Sequence, residues 1–244
     1  AALPRGPSNA LLKSNGHGLD ALHEVGLHVS HRASEPGVVD PCQDLFQHHA
    51  HFHLGEVHAK AVMVPRPIEN LANAIVSTIE AEYRGIVVHG MARFGKSWAV
   101  KYLVNNPVWM NSSFYTTAVI VPKSHKRTEG AFYSLWLERF SMSLPERSRP
   151  LDRLSRLRNY LINKCDENKS DLAVIFMDEA QRLFPEDYEH LATLDNEMTD
   201  RGYMLVVVLV VQSDFSGSVM ETVYEGDPPP HIRKRFLIRR HEFS

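Results

Sequence analysis

The chain has 244 residues, of which 43% are hydrophobic, and its formal net charge at pH 7 is -2. This length suits one sizeable α/β domain with an appendage, and the near-neutral charge excludes a globally basic nucleic-acid-binding protein. The two cysteines, Cys42 and Cys165, form no Cys-x-x-Cys pair, which argues against a disulfide scaffold or zinc ribbon and fits a reducing, cytoplasmic setting. The longest apolar run, residues 204–211, is far shorter than the roughly 20 residues of a membrane helix, so we expect no membrane partner.

Residues 1–60 show little apolar periodicity, and glycines and prolines interrupt them, so we expect an extended arm or small appendage ahead of a main domain of residues 61–244. The N-terminus has no apolar stretch typical of a signal peptide. Four histidines lie between Phe46 and His53, a composition that can bind metal. Because no cysteine or paired carboxylate stands at ligand spacing beside them, we predict a solvated or partner-facing arm and assign no metal.

From Pro67 onward, apolar periodicity predicts helices and strands in alternation. Helices are predicted over residues 67–84, 97–104, from Thr128 and from Pro150 onward, and over 185–201; strands are predicted over 86–89, 113–121, 172–178, 204–211 and 236–238. Such alternation predicts an α/β fold with a parallel five-stranded sheet sandwiched by helices. The strand over 204–211 is so apolar that both of its faces must be covered.

A phosphate-loop template, G-x-x-x-x-G-K-[ST], follows the first predicted strand. Its glycines let backbone N–H groups point at phosphate oxygens, and the next helix adds the positive end of its dipole. Lys96 would reach the β and γ phosphates of ATP, and Ser97 would bind Mg²⁺. The alternative is a glycine-bracketed turn with a solvated lysine. The predicted nucleotide-binding residues are Gly90, Met91, Ala92, Arg93, Phe94, Gly95, Lys96, Ser97 and Trp98.

A basic loop follows the second predicted strand and contains Lys123, His125, Lys126 and Arg127. Such a cluster can contact the phosphates of a nucleic acid, although short basic clusters are also common on solvated loops. Both interpretations remain open at this stage.

Two carboxylates, Asp178 and Glu179, end the third predicted strand, which is otherwise apolar. In this Walker B arrangement Asp178 would hold Mg²⁺ through water, and Glu179 would act as the general base on the attacking water. Combined with the phosphate loop, the pair predicts an ATP hydrolase rather than a nucleotide kinase.

Polar residues follow the fourth predicted strand, and two arginines precede the fifth. Gln212 could donate a hydrogen bond to the γ phosphate, whereas the carboxylate of Asp214 would repel it. Arg233 and Arg235 are candidates for an arginine finger that completes a neighbouring subunit's site, and the adjacent Phe236 favours Arg235. The alternatives are an ordinary strand-end side chain and a basic surface.

Together these motifs resemble an AAA+ ATPase over residues 58–244. Within that superfamily, Asp178-Glu-Ala-Gln181 and Arg233-Lys-Arg-Phe236 resemble the TniB/TnsC/MuB transposition regulators. The resemblance implies a ring or filament of copies assembled with ATP on double-stranded DNA, recruitment of a transposase with a target-selection protein, and release by hydrolysis. It also implies that Lys123, Lys126 and Arg127 contact DNA.

The AAA+ resemblance further predicts a helical lid after the fifth strand, but the sequence ends soon after that strand, so we expect the lid to be reduced or absent. Two other functions share every motif named above. One is a helicase loader or origin-binding AAA+ protein, and the other is a nucleotide-gated scaffold with little hydrolysis.

Overall fold

The computed structural model describes residues 64–106, 114–143, 147–213 and 218–244. The predicted arm of residues 1–60, its histidine cluster and Asp214 lie outside these ranges. Within them, no helix combines the length and the apolar composition that a membrane span requires.

The described chain alternates helices and strands largely as predicted. Its elements are α1 (Arg66–Glu80), β1 (Gly85–Gly90), α2 (Lys96–Asn105), β2 (Tyr115–Ile120), α3 (Glu129–Arg139), α4 (Pro150–Glu167), β3 (Leu172–Asp178), a 3₁₀ turn (Ala180–Arg182), α5 (Pro185–Thr199), β4 (Met204–Gln212), α6 (Val219–Val223), α7 (Pro230–Ile232), a π-helical turn (Arg233–Leu237) and β5 (Arg239–Glu242). Thr128, from which a helix was predicted, is the N-cap of α3, and its side chain accepts a hydrogen bond from the backbone N–H of Ala131.

The strands form one five-stranded sheet in the order β2-β3-β4-β1-β5, and every pair is parallel. This confirms the predicted α/β fold. In the sheet β4 lies between β1 and β3, so Gly90 pairs with Gln212, and Asp178 pairs with Val210. The carboxyl ends of these three strands therefore meet at one edge, where ligands of open α/β sheets bind.

Both faces of the sheet are buried, as the apolar strands predicted. Alternate residues of each strand point to opposite sides. One face, which includes Val87, packs against α3, α4 and α5, whereas the other, which includes Ile86, packs against α1 and α2. The strand of residues 204–211 is accordingly covered on both sides.

The fifth strand was predicted at the wrong residues. The structure places β5 at Arg239–Glu242; Phe236 and Leu237 belong to the π-helical turn before it, and Ile238 links that turn to β5. Phe236 and Leu237 are fully buried there, so their apolar character reflects packing of the turn rather than a buried strand. The charged sequence of β5 suits a strand at the edge of the sheet. Residues 219–223, for which the sequence predicted no helix or strand, form the short helix α6.

Replacement of Gly85 by alanine is expected to destabilise the fold. An added Cβ would lie 2.7 Å from the Cα and 2.8 Å from the carbonyl oxygen of Phe236, and backbone cannot move aside as a side chain can. We expect a loss of about 1–3 kcal/mol, which lowers Tm by about 2–12 °C in thermal denaturation.

Gly130→Ala is the control for this substitution. The nearest atom to an added Cβ there is the guanidinium end of Arg153, at 3.1 Å, and Pro150 Cγ lies at an ordinary contact distance of 3.8 Å. Equal Tm values for the two variants would contradict the close approach of β1 to the π-helical turn.

Candidate active site

A cavity opens where β1, β3 and β4 end. It is lined by the phosphate loop, by the residues after β3 and by the end of β4. The lining residues are Ala92, Arg93, Gly95, Lys96, Ser97, Trp98, Asp178, Glu179, Gln181, Val210, Val211 and Gln212. The sheet order thus brings together the three motifs that are far apart in sequence.

The phosphate loop curls through left-handed backbone before it enters α2. Gly95, the N-cap of α2, has φ +91°, a conformation that side chains with a Cβ rarely adopt. Arg93 also lies in the left-handed region, at φ +64°. This path leaves the free N–H groups of the first turn of α2 at the cavity, where they can bind an anion.

Lys96 is buried at the base of the loop, and its Nζ donates to the carbonyl oxygens of Gly90 (2.7 Å) and Met91 (2.6 Å). Burial lowers the pKa of Lys96, and the carboxylates of Asp178 and Glu179 act in the opposite direction. A triphosphate would supply further negative charge to this ammonium group, so the residue fits a nucleotide.

His89, which directly precedes the loop, is a weaker base than an ordinary histidine. Burial is the main cause of its lowered pKa, and Arg240 and Lys96 lower the pKa further, against the opposing effect of Glu242.

Ser97 and Asp178 bring a hydroxyl and a carboxylate to the same cavity. Mg²⁺ prefers such oxygen ligands and usually keeps several waters beside substrate phosphates. In the described part of the chain no three His, Cys, Asp or Glu side chains converge on a metal position. The hydroxyl and the carboxylate fit a magnesium ion whose other ligands are phosphate oxygens and water.

Glu179 is held firmly beside Asp178. Its backbone has φ +60°, rare for a residue other than glycine, and its N–H donates to Asp178 Oδ1 at 2.9 Å. Its side-chain Oε2 accepts from Gln181 Nε2 at 2.9 Å and forms an ion pair with Arg182 Nη2 at 2.6 Å. Left-handed backbone of this kind clusters at active sites, where the surrounding contacts maintain it.

Gln212 lies at the end of β4, where its side chain lines the cavity and its backbone N–H donates to Gln181 Oε1 at 3.3 Å. Since the side-chain amide of Gln212 has both donor and acceptor atoms, it can meet a phosphate oxygen or a water.

Most of the predicted nucleotide-binding residues line this cavity. Gly90, Met91 and Phe94 are not part of the lining. The carbonyl oxygens of Gly90 and Met91 accept hydrogen bonds from Lys96, and Phe94 is 54% exposed. Gln181 and Arg182 carry contacts to Glu179 that the sequence analysis did not assign. The sequence signal for these two residues is their polar character so soon after Asp178 and Glu179, at the end of a strand.

The two candidate finger arginines lie outside the cavity lining and differ in their contacts. Arg235 Nη1 donates to the oxygens of Ala192 (3.1 Å) and Asn196 (2.9 Å), and its Nε lies 3.5 Å from the buried Asp195. Arg233 is half-exposed and pairs with Asp227, an exposed surface carboxylate. These contacts favour Arg233 over Arg235 for a role outside the chain, contrary to the preference from sequence.

The basic loop between β2 and α3 is attached to the start of α5. His125 Nε2 lies 2.8 Å from Asp187 Oδ2 with both side chains buried, and Arg127 Nε donates to Glu186 Oε2 at 2.7 Å. Lys123 and Lys126 are exposed and have no ion pair among the described residues. Of the three residues expected to contact DNA, the two lysines are therefore available, and Arg127 is in an exposed ion pair with Glu186 that a DNA phosphate can replace at little cost.

Comparison with solved structures finds the same fold in one origin recognition protein and weaker similarity to two others. Aeropyrum pernix ORC2, solved as ADPNP-ADP complexes, is 16% identical with a TM-score of 0.51, over 72% of this chain and 46% of that one. Aeropyrum pernix ORC1 in complex with DNA is 14% identical with a TM-score of 0.48, over 73% and 44%. Drosophila ORC bound to DNA is 14% identical with a TM-score of 0.45, over 73% and 29%. The chain thus spans less than half the length of these proteins.

A comparison with curated proteins gives no match. The family model of the AAA domain, however, matches residues 80–218, which is more than half of the chain. That stretch contains the phosphate loop, the carboxylates after β3 and the end of β4. Since this match covers the nucleotide cavity itself, the chain belongs to the AAA family of P-loop nucleotide-binding ATPase domains.

Proposed function

We propose that this chain hydrolyses ATP and uses the bound nucleotide to control its assembly on DNA, as an origin-binding or helicase-loading AAA+ protein does. The observation that carries the proposal is the shared cavity of Lys96, Asp178, Glu179 and Gln212. A cavity that only bound nucleotide would need the first two residues but not a carboxylate placed as a base.

Each side chain has a separate task in hydrolysis. Lys96 and the N–H groups of α2 bind the phosphates and stabilise the negative charge that moves during transfer. Ser97 and Asp178 would hold Mg²⁺, which would neutralise charge on the phosphates. Glu179 accepts a proton from the attacking water, and Gln212 orients that water or the phosphate.

Contact with DNA is supported by Lys123 and Lys126. These lysines follow the carboxyl end of β2, at the same edge of the sheet as the nucleotide cavity. Lysines bind DNA through its phosphates without reading the bases. The fold shared with Aeropyrum pernix ORC2 supports an initiator-like protein. Arg233 is the candidate for contact with a neighbouring copy's nucleotide. Its ion pair with the exposed Asp227 contributes little stability, so Arg233 can leave Asp227 for a phosphate at little cost.

A regulator of DNA transposition is the second candidate. It rests on the sequence resemblance of Asp178-Glu-Ala-Gln181 and Arg233-Lys-Arg-Phe236 to the TniB/TnsC/MuB proteins. A transposase and a target-selection protein would then be its partners.

Size-resolved DNA binding distinguishes these functions. The protein is mixed with duplex or single-stranded DNA and with ATP, a non-hydrolysable analogue or ADP, then followed by light scattering and negative-stain microscopy. Small assemblies that prefer particular duplex sequences support an origin-binding protein. Small assemblies that prefer single strands support a helicase loader. Rings or filaments on any duplex favour the transposition regulator. Absence of DNA binding with every nucleotide contradicts both functions.

The double variant Lys123→Ala with Lys126→Ala is expected to weaken DNA binding at all sequences. Loss of two phosphate contacts should reduce the slope of log K against log salt concentration by about 1.8. Fluorescence anisotropy on one duplex at several salt concentrations measures this slope. The control removes Lys164 and Lys169, which lie in α4 and in the turn after it, and should leave the slope unchanged.

A further inference from the structure

The side chain of Glu179 is anchored by one oxygen only. Its Oε2 receives both Gln181 Nε2 (2.9 Å) and Arg182 Nη2 (2.6 Å), whereas no donor of the described residues contacts Oε1. A carboxylate fixed in this way keeps one oxygen available to accept a proton from water.

The two anchoring side chains are themselves tied to the neighbouring strands. Arg182 Nη1 donates to the carbonyl oxygen of Val121, directly after β2, at 2.7 Å. Gln181 Oε1 accepts from the backbone N–H of Gln212, at the end of β4, at 3.3 Å. Since β3 lies between β2 and β4, Glu179 is braced from both sides of its own strand.

We propose that Gln181 and Arg182 are positioning residues for Glu179, an inference that rests on the proposed hydrolysis. Neither residue needs to touch the nucleotide phosphates for this role. Gln181 serves because an amide donates with Nε2 and accepts with Oε1, which lets one side chain join Glu179 to β4. Arg182 serves because its planar guanidinium places donors toward Glu179 and Val121 at once.

The pairing could instead restrain Glu179 in a resting position, and the two cases predict opposite results. If Arg182 positions the base, its loss lets Glu179 move and slows hydrolysis. If Arg182 restrains the base, its loss accelerates hydrolysis. We infer positioning because Gln181, a neutral donor, holds the same oxygen and anchors it to the wall of the cavity.

The test is Arg182→Ala, with Arg182→Lys as the conservative variant. Misplacement of a catalytic group by about 1 Å can cost about 100-fold in rate, so we expect kcat to fall about 10- to 100-fold. KM for ATP and the Kd of a fluorescent ATP analogue should change by less than about 3-fold, because the phosphate contacts remain. Arg182→Lys keeps a positive charge and should recover part of the rate.

Arg158→Ala is the matched control, because Arg158 forms a comparable part-buried ion pair with Glu197 at 2.7 Å, outside the cavity lining. It should leave kcat unchanged. Melting temperatures of both variants show whether any lost rate reflects unfolding. An unchanged or faster rate for a folded Arg182→Ala variant would overturn the proposal.

A double-mutant cycle completes the test. In a Glu179→Gln background Arg182→Ala should slow single-turnover hydrolysis by less than about 2-fold, because groups that act as a unit are not additive. A full additional loss there would overturn the positioning role. If the native protein itself does not turn over ATP, the proposed hydrolase function fails. If Glu179→Gln hydrolyses ATP at a high native rate, Glu179 is not the base and the positioning inference fails with it. If that variant is inactive while Arg182→Ala is fully active, only the positioning inference fails.

Discussion

Glu179→Gln is expected to abolish most ATP turnover while leaving ATP binding intact. Glutamine has nearly the same size, but its amide cannot accept the proton that the attacking water must lose. General base catalysis contributes about 100- to 10,000-fold, so kcat for phosphate release should fall within that range. Binding of a fluorescent ATP analogue should remain within about 3-fold, because Lys96 and the phosphate loop are unchanged.

Glu167→Gln is the control for this measurement. Glu167 is an exposed carboxylate at the end of α4, where it pairs with Lys164. Native turnover in this variant would show that loss of a surface carboxylate is harmless. If native protein already turns over as slowly as the Glu179→Gln variant, the chain is a nucleotide-gated scaffold rather than a hydrolase.

Lys96→Ala should abolish tight binding of ATP. It removes the buried ammonium group from the phosphate loop, and loss of one member of a buried charge pair costs about 2–5 kcal/mol, or about 30- to 5,000-fold in Kd. Titration with a fluorescent ATP analogue measures the loss directly. Lys164→Ala, which removes a lysine of α4, should bind as the native protein does.

The buried position of Lys96 also predicts how ATP binding depends on pH. Burial lowers the pKa of Lys96 in the nucleotide-free protein. Affinity for the triphosphate is full while the ammonium stays protonated, and it declines as pH rises through that lowered pKa. The decline should therefore begin at lower pH than for an ordinary lysine. Lys96→Arg, which stays charged, should not show this decline. If the native protein and the Lys96→Arg variant showed the same decline, a group other than Lys96 would be its cause.

Sequence alone was sufficient for the elements that depend on local pattern. The phosphate loop, the carboxylates after β3 and the apolar strands were all recognisable because their spacing or continuous apolar character is local. The parallel sheet followed from the alternation of helices and strands. Prediction failed at residues 236–238, because a short apolar run fits a buried strand as well as it fits the buried end of a helical turn, where the structure places Phe236 and Leu237.

Only the tertiary structure decided which polar side chains act together. It joined Gln181 and Arg182 to Glu179, tied Arg127 to Glu186, and left Arg233 more accessible than Arg235. Arg127 and Glu186 are 59 residues apart in the sequence. Gln181 and Arg182 are near Glu179 in the sequence, but their contacts to Gln212 and Val121, which are 31 and 61 residues away, orient them. Residue spacing specifies what a segment can do, whereas strand order in the sheet determines which segments meet and hence which charges are free to act.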